Sequence, residues 1–214
     1  MLMLLGDATT WLTQFRTLEE RTAEAIEAVW PSCIAPHKSV KDSLTHEDQI
    51  TNILVAALIR SKKVPGRIVP QYSLLTEAAD RTVRLSSNID FVVTIGDDES
   101  VYLAYECKRL NVPFKSGLKA LVGEYVDDGL MRFVNGQYSG GLPLAIMLGY
   151  VMNARVDHAR RGLARAMTVR AAKIKLKSTM DLPLVAGRPI HFRSVHSCTT
   201  GSDIEVAHTL LAWQ

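Results

Sequence analysis

The sequence predicts an α/β fold with a mixed central sheet flanked by helices, and three observations carry that expectation. From Thr45 onward the hydrophobic periodicity changes in the order helix, strand, strand, strand, helix, strand. Two arms of strict alternation, residues 88–95 and 101–110, face each other across the polar run Gly96-Asp97-Asp98-Glu99-Ser100, which marks a β-hairpin. The unbroken apolar run 142–152 suits a strand covered on both faces. A chain of 214 residues with 47% hydrophobic content can form one such domain.

Taken in order, residues 8–29 carry Trp11, Phe15, Leu18, Ala25, Ile26 and Val29 at helical spacing, and Pro31 follows as a stop. Residues 32–43 form a polar loop, so residues 1–44 are read as a helical extension to a core at 45–152. The core opens with a helix capped by Thr45, with Asp48 at the capping-box position and Ile50, Ile53, Leu54, Ala57 and Leu58 on its apolar face. Glu47 lies on that inward stripe, where it serves either the helix dipole or a site. A strand at 67–75 contains Pro70, which places it at an edge. After the hairpin, residues 111–117 are expected to be a loop and 118–133 a helix interrupted by Gly123 and Gly129. Beyond the apolar strand come a long basic helix at 156–177 and two short strands at 190–198 and 204–211.

The chemistry concentrates in the hairpin. Glu106 and Lys108 are two apart on one arm and therefore share a face. Pairing symmetric about Asp98 sets Asp90 directly opposite Glu106, with the carboxylates roughly 5 Å apart. Two carboxylates that close repel unless a cation lies between them, so Asp90 and Glu106 form a candidate metal pair with Lys108 at its edge. A one-residue slip would turn Asp90 away. The same alternation turns the Cys107 side chain to the other face, which argues against a cysteine nucleophile.

Composition narrows the function classes. Cys33, Cys107 and Cys198 are scattered and odd in number, which fits a reducing, cytoplasmic setting and no disulfide framework or zinc ribbon. The apolar start Met-Leu-Met-Leu-Leu is too short for a signal segment, and no run reaches membrane-spanning length, so no membrane partner is expected. From Val151 onward there are ten Lys/Arg against four Asp/Glu, whereas the first 150 residues carry fifteen against eighteen. The basic third suits a polyanion, with Arg160, Arg161 and Arg165 as candidate phosphate contacts. Arg193 and His196 read as surface groups, with phosphate contact as their functional alternative. No Gly-x-Ser-x-Gly elbow supports a serine hydrolase.

Asp90, then Glu106-Cys107-Lys108 on the following strand, with Glu47 on the leading helix and the order αβββαβ, resembles the PD-(D/E)XK nuclease superfamily over residues 45–152. Ile89 stands where that family often has proline, and no Gln-x-x-x-Tyr motif follows, since Gln137 adjoins Tyr138. The runs 132–138 and 147–151 also resemble small nucleases of bacterial anti-phage defence loci. The resemblance implies a restriction-endonuclease-like core and an Mg²⁺-dependent nuclease, with Mn²⁺ as a substitute. Asp90, Glu106 and the Cys107 carbonyl would hold the metal, Lys108 would act on the phosphate or its attacking water, and Glu47 would assist a second metal or a bound water. Nucleic acid, with DNA foremost, is the expected substrate, in a defence or restriction setting, and a homodimer or partner protein would supply recognition. The alternative from another class is an inactive nucleic-acid-binding or scaffolding subunit that keeps the same fold.

Overall fold

The computed structural model describes residues 8–37, 46–77, 82–96, 98–138, 141–185, 187–199 and 201–213. Four helices flank a seven-stranded mixed sheet, as expected of the class. The helices are α1 (Ala8–Ile34), α2 (Glu47–Ser61), α3 (122–134) and α4 (Val156–Val169). The sheet runs β1 (Arg67–Glu77), β2 (Val83–Ile95), β3 (Asp98–Leu110), β6 (Leu144–Val151), β9 (Asp203–Ala212), β8 (Ile190–Ser197), β7 (Leu176–Asp181). A separate hairpin pairs β4 (Val112–Phe114) with β5 (Gly117–Lys119).

The three central strands β3, β6 and β9 are parallel, and the outer pairs are antiparallel. Parallel neighbours need a crossover, and α3 supplies the one between β3 and β6. Being covered on both faces, β6 is buried at all eight positions. Its neighbours show the two layers: Tyr150 stacks on Trp30 of α1, whereas a Cβ on Gly149 would lie 3.4 Å from Tyr125 of α3. Helices α1 and α2 cover one face, and α3 and α4 cover the other.

Several expectations are corrected. Helix α1 runs through Pro31 to Ile34, because Trp30, Cys33 and Ile34 are buried and hold the last turn against the core. The cap residue Thr45 lies outside the described residues; His46 precedes α2 and makes no side-chain cap. The basic helix ends at Val169, and Lys177 lies in β7, an exposed edge strand. The expected loop at 111–117 holds β4 and the start of β5, and α3 begins only at Val122. All three cysteines are free and buried. Among the described residues no helix is long and apolar enough to cross a membrane.

Candidate metal and nucleic-acid site

The hairpin register is the expected one. Phe91 pairs with Tyr105, Val92 with Ala104, Val93 with Leu103 and Thr94 with Tyr102, all symmetric about position 98. The turn is tighter than symmetric, at Gly96 (φ 67°), and a bulge between Thr94 and Ile95 absorbs the difference. The β2–β3 ladder stops at Phe91↔Tyr105, yet β3 continues beside β6 as far as Leu110↔Val151. β2 continues instead beside β1, from Ile89 back to Val83. The sheet therefore splits where Asp90 and Glu106 lie, and the split opens toward the carboxyl end of β3.

Side-chain direction follows from alternation. Phe91 stacks on Tyr105 with ring centroids 4.3 Å apart, and the Cys107 thiol interacts with Thr51 of α2, so these residues face α1 and α2. Glu106 and Lys108 face α3. Gly129 makes room for the lysine stem: a Cβ there would lie 3.4 Å from Lys108 Cγ and 2.6 Å from Met147 Cε. Burial pushes the Cys107 thiol pKa well up, consistent with an inert cysteine.

Oxygen atoms converge at the split. Lys108 Nζ lies 2.7 Å from Glu106 Oε1 and donates to Glu47 Oε1 at 2.9 Å and to the Cys107 carbonyl at 3.0 Å. Glu47 Oε2 accepts from the Arg109 amide at 2.9 Å, and Asp90 Oδ2 accepts from the Cys107 amide at 2.6 Å. Glu47, the first residue of α2, thus reaches β3 across 61 positions of sequence. The structure brings together all four expected catalytic residues and the expected carbonyl.

Arg132, which sequence reasoning missed, is a fifth member. Its Nη1 lies 3.2 Å from Glu106 Oε1, it donates to the Tyr138 hydroxyl, and its side chain is 37% exposed. Tyr138 in turn donates to the Asn88 carbonyl at 2.5 Å, which ties this cation to β2. Six residues of α3, Tyr125–Leu130, are π-helical just before it. That wider turn shifts the phase of the following residues, so a 3.6-residue reading cannot place Arg132.

Charge in the cleft is incompletely matched. Glu106 is 0% exposed, and its Oε2 has no hydrogen-bond partner among the described residues. Burial, reinforced by Asp90, pushes the Glu106 pKa up to about 7 against the pull of Lys108. Burial likewise raises Asp90, although the Cys107 amide opposes it. For Lys108 burial would lower the pKa, but Glu106 and Glu47 together raise it, so the ammonium stays charged.

The donor set suits a hard divalent cation. Two carboxylates, one of them with an orphaned buried oxygen, stand beside a main-chain carbonyl, and Glu47 is adjacent. Among the described residues no three His, Cys, Asp or Glu side chains group closely enough to hold a metal by themselves. A bound ion here would thus rest on two side chains and the carbonyl, with water completing its shell, as Mg²⁺ prefers.

The other expected nucleic-acid residues lie on α4. Arg160 is committed to the fold: its guanidinium sits 3.9 Å above the Phe192 ring and pairs with Asp181 at 2.5 Å. Arg161 and Arg165 are exposed and have no ion-pair partner among the described residues. The expected surface placement of Arg193 and His196 is overturned. Both are buried, Arg193 between Glu19 and Glu205, and His196 against the Ile174 carbonyl and Ser194. A cavity of about 420 Å³ between α1 and β8 is rimmed by Glu20, Glu24 and Glu27, the wrong sign for phosphate.

Comparison with protein-family models, curated proteins and solved structures returns no match.

Proposed function

We propose that this chain is a divalent-metal-dependent nuclease with a restriction-endonuclease-like core of the PD-(D/E)XK kind, acting on nucleic acid, DNA foremost. The supporting observation is the convergence of Glu47, Glu106 and the Cys107 carbonyl around the Lys108 ammonium, with Asp90 held beside them by the Cys107 amide, at the point where the sheet splits. The order α2, β1, β2, β3, α3, β6 adds to it. Asp90, Glu106 and the Cys107 carbonyl would hold Mg²⁺ or Mn²⁺, which when bound supplies Lewis acidity and an acidified water. Lys108, anchored by Glu47 and Glu106, holds a positive charge where the phosphate enters and can donate to its oxygens. Arg132, partly exposed beside Glu106, offers a second donor for charge that develops on the phosphorane. Glu47 fixes the lysine and the strand end together. Target recognition falls to a second copy or a partner protein.

A non-catalytic nucleic-acid-binding subunit is the second reading. What favours it is that Lys108 already sits among the oxygens as their counter-ion, so a metal must displace it. One assay separates the two. Wild type, Glu106→Ala and Lys108→Ala are incubated with supercoiled plasmid, linear duplex, single-stranded DNA and RNA, in Mg²⁺, Mn²⁺ and EDTA. Cutting that needs metal and disappears in both variants is the expected result. Intact substrates together with binding that survives EDTA would move the assignment to the second reading.

A further inference from the structure

Beyond the cleft itself, the β4–β5 hairpin is unexplained by packing. It leaves β3 at Asn111, whose φ of 51° turns the chain out of the sheet, and it is closed at its base by the Asn111 amide donating to the Ala120 carbonyl at 3.1 Å. Val112 is buried, and every later position of the hairpin is exposed. Three-residue strands buried at Val112 alone gain little from the core, so nothing in the fold demands apolar residues beyond that position. Yet Phe114 is 47% and Leu118 44% exposed. Lys119 Nζ lies 4.5 Å from the Phe114 ring centroid, so a cation and an aromatic surface are presented side by side.

Position and charge indicate what this finger meets. From Lys108 to the end of β3 at Leu110 the backbone advances roughly 7 Å at strand rise, and the finger begins at Val112, directly after the turn at Asn111. The free part of the β1–β2 ribbon projects the same way, because β2 runs antiparallel to β3 and continues past Asp90. Between Cys107 and Gly123 the chain has four cationic residues, Lys108, Arg109, Lys115 and Lys119, and no acid. An exposed apolar surface on its own has no stated partner. One that carries Lys115 and Lys119 and no acid, following directly on the strand that holds Glu106 and Lys108, is complementary to a polyanion with π faces.

We propose that the β4–β5 hairpin is a nucleic-acid-contacting finger: Phe114 stacks on an unstacked base while Lys115 and Lys119 pair with phosphates of the strand that enters the Asp90–Glu106–Lys108 cleft. This rests on the nuclease reading. The unstacked base can belong to a single strand or to a duplex step that the finger opens, and the chemistry is the same.

The test is fluorescence anisotropy in EDTA with labelled single-stranded and duplex DNA 20-mers, at several salt concentrations, alongside cleavage in Mg²⁺. Phe114→Ala is expected to weaken single-strand binding about tenfold, whereas Phe114→Trp, which keeps a ring, stays near wild type. Equal weakening on the duplex would identify an opened base step; weakening on the single strand alone would identify an unpaired substrate. Lys115→Ala with Lys119→Ala is expected to reduce the slope of log K against log salt by about 1.4. All substituted positions are exposed, and an unchanged thermal melt shows that the fold is intact. Unchanged affinity and slope in a protein that binds and cleaves as wild type overturn the finger alone. Wild type that neither binds nor cleaves overturns the nuclease reading, and the finger with it.

Discussion

Two buried charge clusters on opposite faces of the sheet are built to different rules. Under α1, Arg193 bridges Glu19 and Glu205 at 2.6 Å each, and Arg16 closes the set by pairing with Glu205. Two cations meet two buried carboxylates. Burial presses the Glu205 pKa upward, but hydrogen bonds from Arg16 and Arg193 more than reverse that, leaving it low. Under α3, three carboxylates meet two cations, Glu106 Oε2 has no partner, and the Glu106 pKa rises to about 7. Burial still raises the pKa of Glu19 against the pull of Arg193, but each carboxylate of the first arrangement has an arginine partner, and the cluster ties α1 to β8 and β9. The second leaves unmet demand for a cation, which is what a site awaiting a ligand looks like.

The sharpest way to break this comparison is to remove the hub of the satisfied cluster. Arg193→Ala strands Glu19 and Glu205 in the interior and should cost about 3–5 kcal/mol, read as a large fall in the denaturation midpoint. A loss under about 1 kcal/mol would show that the cluster is not a fold determinant.

Glu106→Gln should do the opposite. A carboxyl whose folded pKa is raised weakens the fold above that pKa, and the penalty fades as pH falls from about 7 toward the unfolded value near 4.5. The amide should therefore stabilise the protein by about 1–2 kcal/mol at pH 8, by roughly a quarter of that at pH 5 and by nothing below about pH 4, while abolishing the proposed cleavage. Equal melting curves for wild type and variant at pH 8 would contradict the raised pKa.

A smaller effect concerns a third network, on the α3–α4 face. Tyr125, His208, Ser194, His196 and the Ile174 carbonyl form a chain with contacts of 2.9, 2.8, 2.7 and 2.8 Å. With Nδ1 of His196 donating to the carbonyl, Ser194 donates to its Nε2 and accepts from His208 Nε2, and Tyr125 donates to His208 Nδ1. Every member is satisfied with one proton on each imidazole. Burial lowers both histidine pKa values, His208 most strongly. The unfolded chain binds protons that the fold excludes, so stability is lost as pH falls below about 6.5. His208→Gln should lower stability at pH 7 and flatten the slope between pH 7 and 5 by up to half. An unchanged slope would mean that His208 does not titrate on unfolding.

How much of this was legible in sequence depended on whether a residue's partner was local. The β2–β3 register followed from symmetric pairing about Asp98, and the Phe91↔Tyr105 pair, stacked on one buried face, obeys it. That register alone aligned Asp90 with Glu106. β7 was invisible because only Leu176 of its six residues is even partly buried, so no period-two pattern exists to read. Arg193 and His196 read as surface groups because the residues that compensate their burial, Glu19 and Ile174, lie 174 and 22 positions away. Arg132 was hidden by a π-helical turn, and Arg160 was taken for a phosphate contact because neither Phe192 nor Asp181 could be placed beside it. Polar residues became readable where a strand fixed their direction or, as for Glu47, where they sat on the apolar stripe of a helix.

The most direct test of the central claim is calorimetric titration of the apo protein with Mn²⁺ at pH 8, for wild type, Glu106→Gln and Arg193→Lys. Saturable binding in wild type and in Arg193→Lys, lost in Glu106→Gln, is the predicted result, because only the α3-side cluster has oxygen left to give. Binding that survives in Glu106→Gln, or no binding by a folded wild-type protein at millimolar Mn²⁺, would contradict it.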